Sequence, residues 1–399
     1  MQRGNRLLGK SVIAIALASL FSDLGHETAT AVLPGFLTVV LAAPPIALGL
    51  VEGFSNLVAA GAKLYGGKLA ADAIGLRGWA AGGYATTGLA TALLGLVSSW
   101  PWLVLIRPIG WAGRGWRGPV RNLLLTLSVS KEQFGRAFGF ERAGDNAGAV
   151  FAPLLAVVLL GVFSYRTTFL VAAIPGFLAA GCYLLVRRVR AERGNFRVRL
   201  AGYPTGFNRL LVAVAVFGSA QFAGSLFTLR AIQLLVPLHG RAAAVTLAIF
   251  LYFLYNLSAT AVSYPVGAFA DRTGRRQTAL IAGFLSFAVA AALLALASSA
   301  VWMVIPAFVA GGFAAGSVEV AETALAAHQL APIERGAGFG VLAAVNGAGD
   351  FVSSVWVALV WTLAAPAIAF AGAAILAIVG AVLAGRISIS PERAINRDA

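Results

Sequence analysis

Sulfur and histidine are nearly absent. The 399-residue chain has one cysteine, Cys182, and three histidines. A lone cysteine excludes an internal disulfide and a thiolate metal cluster, and Cys182 lies in an apolar run that reads as packing. Charge is scarce as well: 11% of residues, against about a quarter in a soluble domain. No polar stretch is long enough for a separate soluble domain. No Gly-rich loop carries the lysine of an ATP site, so no ATP-driven pump is indicated, and no cofactor is called for. His26 and Glu27 lack the second histidine of a zinc-protease motif. No nucleophile is paired with a base and no two metal ligand sets recur, so nothing indicates an enzyme.

What remains is apolar. The chain is 59% hydrophobic with a mean hydropathy of +0.86. Water cannot solvate that much apolar surface, and a bilayer must. Runs fall near 11–41, 45–70, 77–98, 100–125, 138–163, 167–186, 209–236, 242–268, 277–298, 300–328, 336–362 and 365–385. Each is long enough to cross the hydrocarbon, which takes about 20 helical residues. The N-terminus imitates a secretory signal, with Arg3, Arg6 and Lys10 ahead of the first run. Asp23, His26 and Glu27 interrupt that run, and it resumes through Leu41, so it reads as a retained first helix.

The net charge of +15 is topology rather than a nucleic-acid surface. Even-to-odd connections carry Lys68 and Arg77, then Arg114, Arg117, Arg121, Lys131 and Arg136. The middle connection adds six arginines between Arg187 and Arg199. Later connections add Arg272, Arg275, Arg276 and Arg335, and the tail adds Arg386, Arg393 and Arg397. The odd-to-even connections hold only Arg166 and Arg241. Positive loops stay cytoplasmic, so both termini are expected there. The basic middle segment divides the chain into a six-helix bundle at 1–186, a linker at 187–208, a second bundle at 209–385 and a tail at 386–399. The halves echo each other at an offset of 201. Gly135, Phe138, Gly139 and Gly148 match Gly336, Phe339, Gly340 and Gly349, while Gly75 and Arg77 answer Gly274 and Arg276. Repeats with a site between them are a common transporter plan.

Charge at depth is the functional signal. A charge at the bilayer centre costs from about 3 to above 10 kcal/mol, so each needs a partner, water or a proton. Asp23 and Glu27 share a face of span one, and Glu319 and Glu322 share a face of span ten. Glu52 lies early in span two, Asp145 in span five beside Glu141 and Arg142, and Asp350 in span eleven. The basic residues counted at depth are fewer: Lys63, Arg107, Arg142 and Arg230. Carboxyls that gain and lose a proton are what proton coupling needs. Structural readings stand beside these: Glu141 with Arg142 as a packing pair, Lys63 snorkelling outward, Glu52 at the interface. His26 beside Asp23 and Glu27 could offer nitrogen and oxygen to nickel, cobalt or iron, but too few ligands converge for a metal site to be expected.

Between spans eight and nine stand Gly267, Asp271, Arg272, Gly274, Arg275 and Arg276. This loop resembles the signature loop of the major facilitator superfamily. The resemblance implies a gate in which Gly267 lets helices approach, Asp271 sits at a helix N-terminus and Arg272 bridges to an acid of the next bundle. Its counterpart around Asp72 has one residue too many after Gly67, and Ala73 where the family has Arg. Arg107 ahead of Gly110 and Gly113 is similar to the motif of proton-linked members. Gly144, Gly148, Ala152 and Pro153 resemble the exporter motif, with Ala152 replacing a glycine. Ser22 to Glu27, Leu33-Pro34, Gly49 to Gly53, Arg136 to Gly139, Glu319 to Leu325, and Arg114 to Arg121 are similar to a bacterial group of drug- or metal-efflux permeases. That group usually has an acid where this chain has Asn122.

The resemblance implies an all-α membrane protein of about twelve helices in two bundles, monomeric, in the inner membrane. It implies proton-coupled efflux of a small molecule or ion. Asp23, Glu27, Glu52, Arg107, Asp145, Glu319, Glu322 and Asp350 are the candidates for coupling or binding. Gly267, Asp271, Arg272, Gly274, Arg276 and Asp72 are the candidates for gating. Anion uptake through Arg107, Arg142 and Arg230, export of a metal cation, and lipid flipping are the alternatives.

Overall fold

The structure, a computed structural model, describes residues 9–72, 74–129, 134–187, 202–297, 301–330 and 335–387, and at 134–136, 271, 301 and 335–337 the backbone alone. The basic residues expected between Arg188 and Arg199, Lys131, Arg393 and Arg397 lie outside the described residues.

Helices take up nearly all of it. The first half holds α1 (Lys10–Gly35, continued as a π-helix over Phe36–Val40), α2 (Pro45–Asp72), α3 (Leu76–Leu94), α4 (Pro101–Thr126), α5 (Phe134–Val162) and α6 (Tyr165–Cys182). The second holds α7 (Thr205–Gly218), α8 (Gly224–Thr273), α9 (Arg276–Leu296), α10 (Val301–Gln329), α11 (Arg335–Leu363) and α12 (Pro366–Ala384). Among the described residues, nine helices are long and apolar enough to cross a membrane.

Local chemistry sets the boundaries. Pro101 and Pro366 stand in the first turns of α4 and α12, where a missing N–H costs nothing. Ser164 caps α6 by accepting the Thr167 N–H at 3.2 Å. Gly240, at φ 75°, turns the 50-residue α8 back on itself. It therefore separates spans seven and eight where a turn was expected. Span seven is not the continuous helix expected over 209–236. It breaks between Gly218 and Gly224, and the Ser219–Ala223 segment leaves the helical path.

The repeat is real at the level of packing. A Cβ at Gly148 of α5 would stand 2.5 Å from the Leu20 carbonyl oxygen of α1, and one at Gly349 of α11 would stand 2.8 Å from Gly218 of α7. Equivalent helices thus touch through equivalent glycines. Gly75 and Gly274 both take left-handed φ values, 63° and 68°, just past the ends of α2 and α8. A side chain there is strained, most of all a β-branched one. Gly274→Val is expected to cost about 1–2 kcal/mol and Gly274→Asn much less, measured as thermal midpoints of the purified protein.

The two halves share one apolar core at the end where α1 meets α2. Val32, Leu33, Phe36 and Leu48 pack there with second-half residues such as Phe217, Phe222, Val245 and Val357. Across this end Gly53 lies close to Phe351 and Val355, and the Ile46 N–H donates to Thr362 at 2.9 Å. At the opposite end the first half has its own core, built on Val12, Ile15, Leu69 and Tyr183. Here the inner walls are exposed at Lys63, Gly139, Arg142, Tyr264 and Glu319. The shared core closes one end, and the end that carries the basic connections is a cleft bridged where Gly340 of α11 faces Leu64 of α2 and where Arg142 reaches Glu319.

Candidate functional site

Helix α4 organises the site. Arg107, Arg114, Arg117 and Arg121 are spaced by seven, three and four residues, so they form one stripe. The last three were expected in a cytoplasmic loop, but they lie inside α4 and are directed into the first half. The reason is that each finds a partner there. Arg114 donates to Asp23 of α1 at 2.6 Å. Arg121 contacts Glu141 at 2.7 Å and Asp145 at 3.8 Å on α5. Among the described residues Arg117 has no carboxylate within contact; it donates to Thr87 at 2.9 Å and Ser22 at 2.7 Å, and its guanidinium stacks 4.0 Å from the Tyr84 ring centre. Glycines make room for the stripe: a Cβ at Gly115 would stand 2.6 Å from the Ala59 carbonyl oxygen, and one at Gly113 equally close to that of Gly83.

Arg107 lies nearest the middle. Its Nη2 is 3.1 Å from Glu52 Oε1 of α2 and donates to Thr30 Oγ1 of α1 at 3.0 Å. Glu52 is 3% exposed, so it is buried rather than interfacial. Arg230 is not part of the site. It donates to the Ala297 carbonyl at the end of α9, 3.1 Å away, as Arg166 does to Gly95 and Val97 at the end of α3. Both satisfy helix C-termini.

The balance of charge at depth therefore differs from expectation. Two of the added guanidiniums, Arg114 and Arg121, pair Asp23, Glu141 and Asp145, and the carboxyls at depth without a cation in contact, among the described residues, are Glu27, Glu322 and Asp350. Glu27 accepts a hydrogen bond from the Tyr252 hydroxyl of α8 at 3.0 Å, which joins the halves. Glu322, 4% exposed, accepts one from Asn346 Nδ2 of α11 at 2.8 Å. Asp350 feels Lys63 through space without contact. The pair on α10 is split: Glu322 is enclosed, while Glu319 is exposed and meets Arg142 of the first half at 3.2 Å. Arg142 also reaches Asp145 at 3.5 Å. His26 packs edge-on against Trp111 at 5.1 Å. Asp23 is held by Arg114 and Glu27 by Tyr252, and among the described residues no three metal-ligand side chains converge.

Between the halves lies a cavity of about 180 Å³. Its walls carry Glu27, Glu52 and Asp350 on one side of the chemistry, and Trp111, Ser225, Tyr252 and Tyr255 on the other. The broken part of span seven, from Gln221 to Ser225, closes it. Of these, Trp111, Gln221 and Ser225 were not singled out from the sequence. The one available signal was Gly218 and Gly224 flanking the break.

Comparison with known proteins agrees with the geometry. The family model of the Major Facilitator Superfamily matches residues 15–242 and again 210–398. The chain belongs to the major facilitator superfamily. Its relatives include an uncharacterized MFS-type transporter of Methanocaldococcus jannaschii, 27% identical over 297 residues, which are 72% of this chain and 74% of that one. Multidrug resistance protein MdtH of Aeromonas hydrophila is 27% identical over 269 residues, 66% of each chain. The crystal structure of the peptide transporter POT superposes with a TM-score of 0.80 at 12% identity, covering 96% of this chain and 95% of that one. It shows the fold. The loop that resembles the superfamily's signature lies at the end that carries the basic connections. Gly274 makes the turn, and Arg272 is exposed there with no ion pair among the described residues, beside Gly267 and Tyr264. The Asp271 side chain lies outside the described residues. Gly267 faces Val320 at an ordinary 3.4 Å, and the close approaches of α8 and α10 fall instead at Gly312 and Gly316. Asp72 is exposed at the end of α2, and Arg276 opens α9.

Proposed function

We propose that the protein is a proton-coupled secondary transporter that exports a small molecule by alternating access, as a monomer, from the inner membrane with its basic connections and both termini cytoplasmic. The observation that carries this reading is the Tyr252–Glu27 hydrogen bond at the central cavity. It crosses from one half to the other. A bond to a carboxylate is roughly twice as strong as one between neutral groups. Protonation of Glu27 therefore weakens the link between the halves, and release of the proton strengthens it. Glu322 and Asp350 are the further proton carriers, because neither has a cation in contact to hold its charge. Substrate and proton compete for the same carboxyls in the cavity, which gives exchange. The Arg142–Glu319 pair and Arg272 with Asp271 act at the cleft end as gates. Anion transport is less well supported: Arg107, Arg142 and Arg230 are engaged by Glu52, by Asp145 and Glu319, and by a helix end.

The reading is tested in two steps. A deletion strain is screened for sensitivity to organic toxins and metals, and the compound found is followed in inside-out vesicles. Uptake into the vesicles that rises with an imposed pH gradient and collapses with a protonophore is the expected result. Flux indifferent to the gradient removes the coupling, and uptake only in right-side-out vesicles removes export.

A further inference from the structure

The cavity is lined by two chemically opposite sets of groups, and a ligand has to match both. One set is acidic: Glu27, Glu52 and Asp350 line a space of about 180 Å³, and of these three Arg107 pairs with Glu52 alone. The other set consists of donors without acceptors. Span seven resumes as α8 at Gly224, and its first N–H groups, on Gly224 and Ser225, have no hydrogen-bond partner among the described residues. Such N–H groups at a helix start form a site for negative charge. The Ser225 hydroxyl, 2% exposed, is buried without a partner, and so is the Trp111 Nε1–H; both residues line the same cavity. No side chain caps the helix, since Ala223 stands at the capping position. Gly224 keeps the backbone accessible: a Cβ there would press on Tyr252 at 3.3 Å.

Neither set explains the other's chemistry. A simple cation satisfies the carboxyls and leaves the α8 N–H groups, Ser225 and Trp111 without acceptors. A simple anion does the reverse and meets three carboxyls. Buried donors left without acceptors are costly. Pockets for drug-sized ligands measure about 300–1,000 Å³, more than this space. We infer that the cavity binds a small zwitterion, its carboxylate on the N-terminus of α8 with Ser225 and Trp111, and its ammonium on Glu27 and Asp350 against the faces of Tyr252 and Tyr255. A cation over aromatic rings is favoured by the ring quadrupole. The inference rests on the transport reading for its purpose and stands on the cavity alone for its chemistry.

The test is ligand binding to the purified full chain, read as a shift of the thermal midpoint and by calorimetry. The probes are the α-amino acids, β-alanine and 4-aminobutyrate, followed by the carboxamide and the N-acetyl derivative of the best binder. The expected result is saturable binding of at least one zwitterion, with each singly charged derivative about tenfold weaker or more, the equivalent of one lost buried hydrogen bond. Ser225→Ala and, independently, Trp111→Phe are expected to shrink the preference for the acid over the amide while keeping the preference for the free amine. No binding by any zwitterion overturns the inference. So does a carboxamide that binds as well as its acid, which makes the site one for cations. An amino acid that binds but does not move with a pH gradient leaves this site intact and removes the coupling reading; a toxin that moves while no zwitterion binds does the opposite.

Discussion

Arg107→Met is expected to lower the stability of the protein by about 3–5 kcal/mol and to abolish transport. That is the cost of leaving a buried carboxylate without its partner. The partner is Glu52, 3.1 Å away, with Thr30 as the second contact. Arg107 and Glu52 are each 3% exposed, so no water replaces the lost guanidinium. Glu52→Leu alone is expected to be similarly damaging from the opposite side. The informative protein is the double variant. Replacing both members of a buried pair by apolar groups is often nearly neutral for stability, so Arg107→Met with Glu52→Leu should regain most of the thermal midpoint. Transport should stay absent, because Glu52 lines the cavity. A double variant that transports normally shows that the pair only packs α2 against α4. A double variant no more stable than either single one shows that the ion pair was not the source of the loss. Melting in detergent and flux in vesicles separate these outcomes.

The arginine stripe also shows where sequence reasoning reaches and where it stops. The twelve spans were legible because the bilayer demands length and hydropathy, and both are local. The paired glycines were legible because a repeat copies its close contacts, as Gly148 and Gly349 do. The acids at depth were legible because burying charge is costly anywhere in a bilayer. The side of the boundary on which Arg114, Arg117 and Arg121 fall was not. An arginine in a basic loop and an arginine answering a buried acid are the same letter, and counting loop charge cannot separate them. Only the spacing can: 107, 114 and 121 are two heptads on one face, with 117 beside them. The break at Ser219–Ala223 was hidden for another reason. It contains neither proline nor glycine, and the backbone leaves the helix because Ser353 and Ser354 of α11 take up the freed groups. Ser353 donates to the Gln221 carbonyl at 2.9 Å, and Ser354 Oγ accepts the Ala223 N–H at 3.3 Å. Partners from another span are invisible in a local pattern, as is the Tyr252 hydroxyl that finds Glu27 across 225 residues.

Glu322→Gln is expected to leave the fold intact and disconnect transport from the proton gradient. Glu322 accepts from Asn346 Nδ2 at 2.8 Å, and a glutamine at this position offers its amide oxygen to the same donor. Stability should change by about 1 kcal/mol or less, the scale of one adjusted hydrogen bond. The group that takes and gives a proton is gone, however, and among the described residues no cation contacts Glu322. Gradient-driven accumulation in vesicles is expected to fall about tenfold or more, equivalent to about 1.4 kcal/mol in the barrier. Exchange of labelled for unlabelled substrate, which needs no net proton movement, should persist. Glu319→Gln is the control that decides what burial contributes. Glu319 is one helical turn away but exposed, and its partner Arg142 keeps a second contact with Asp145. Exposed pairs of this kind are worth about 0–1 kcal/mol, so its loss should move the rate of opening at the cleft end and spare the pH dependence. If the two glutamine variants behave alike, enclosure of Glu322 is not what couples it to protons. If Glu322→Gln still concentrates substrate against a gradient, the proton is carried by Glu27 and Asp350 instead.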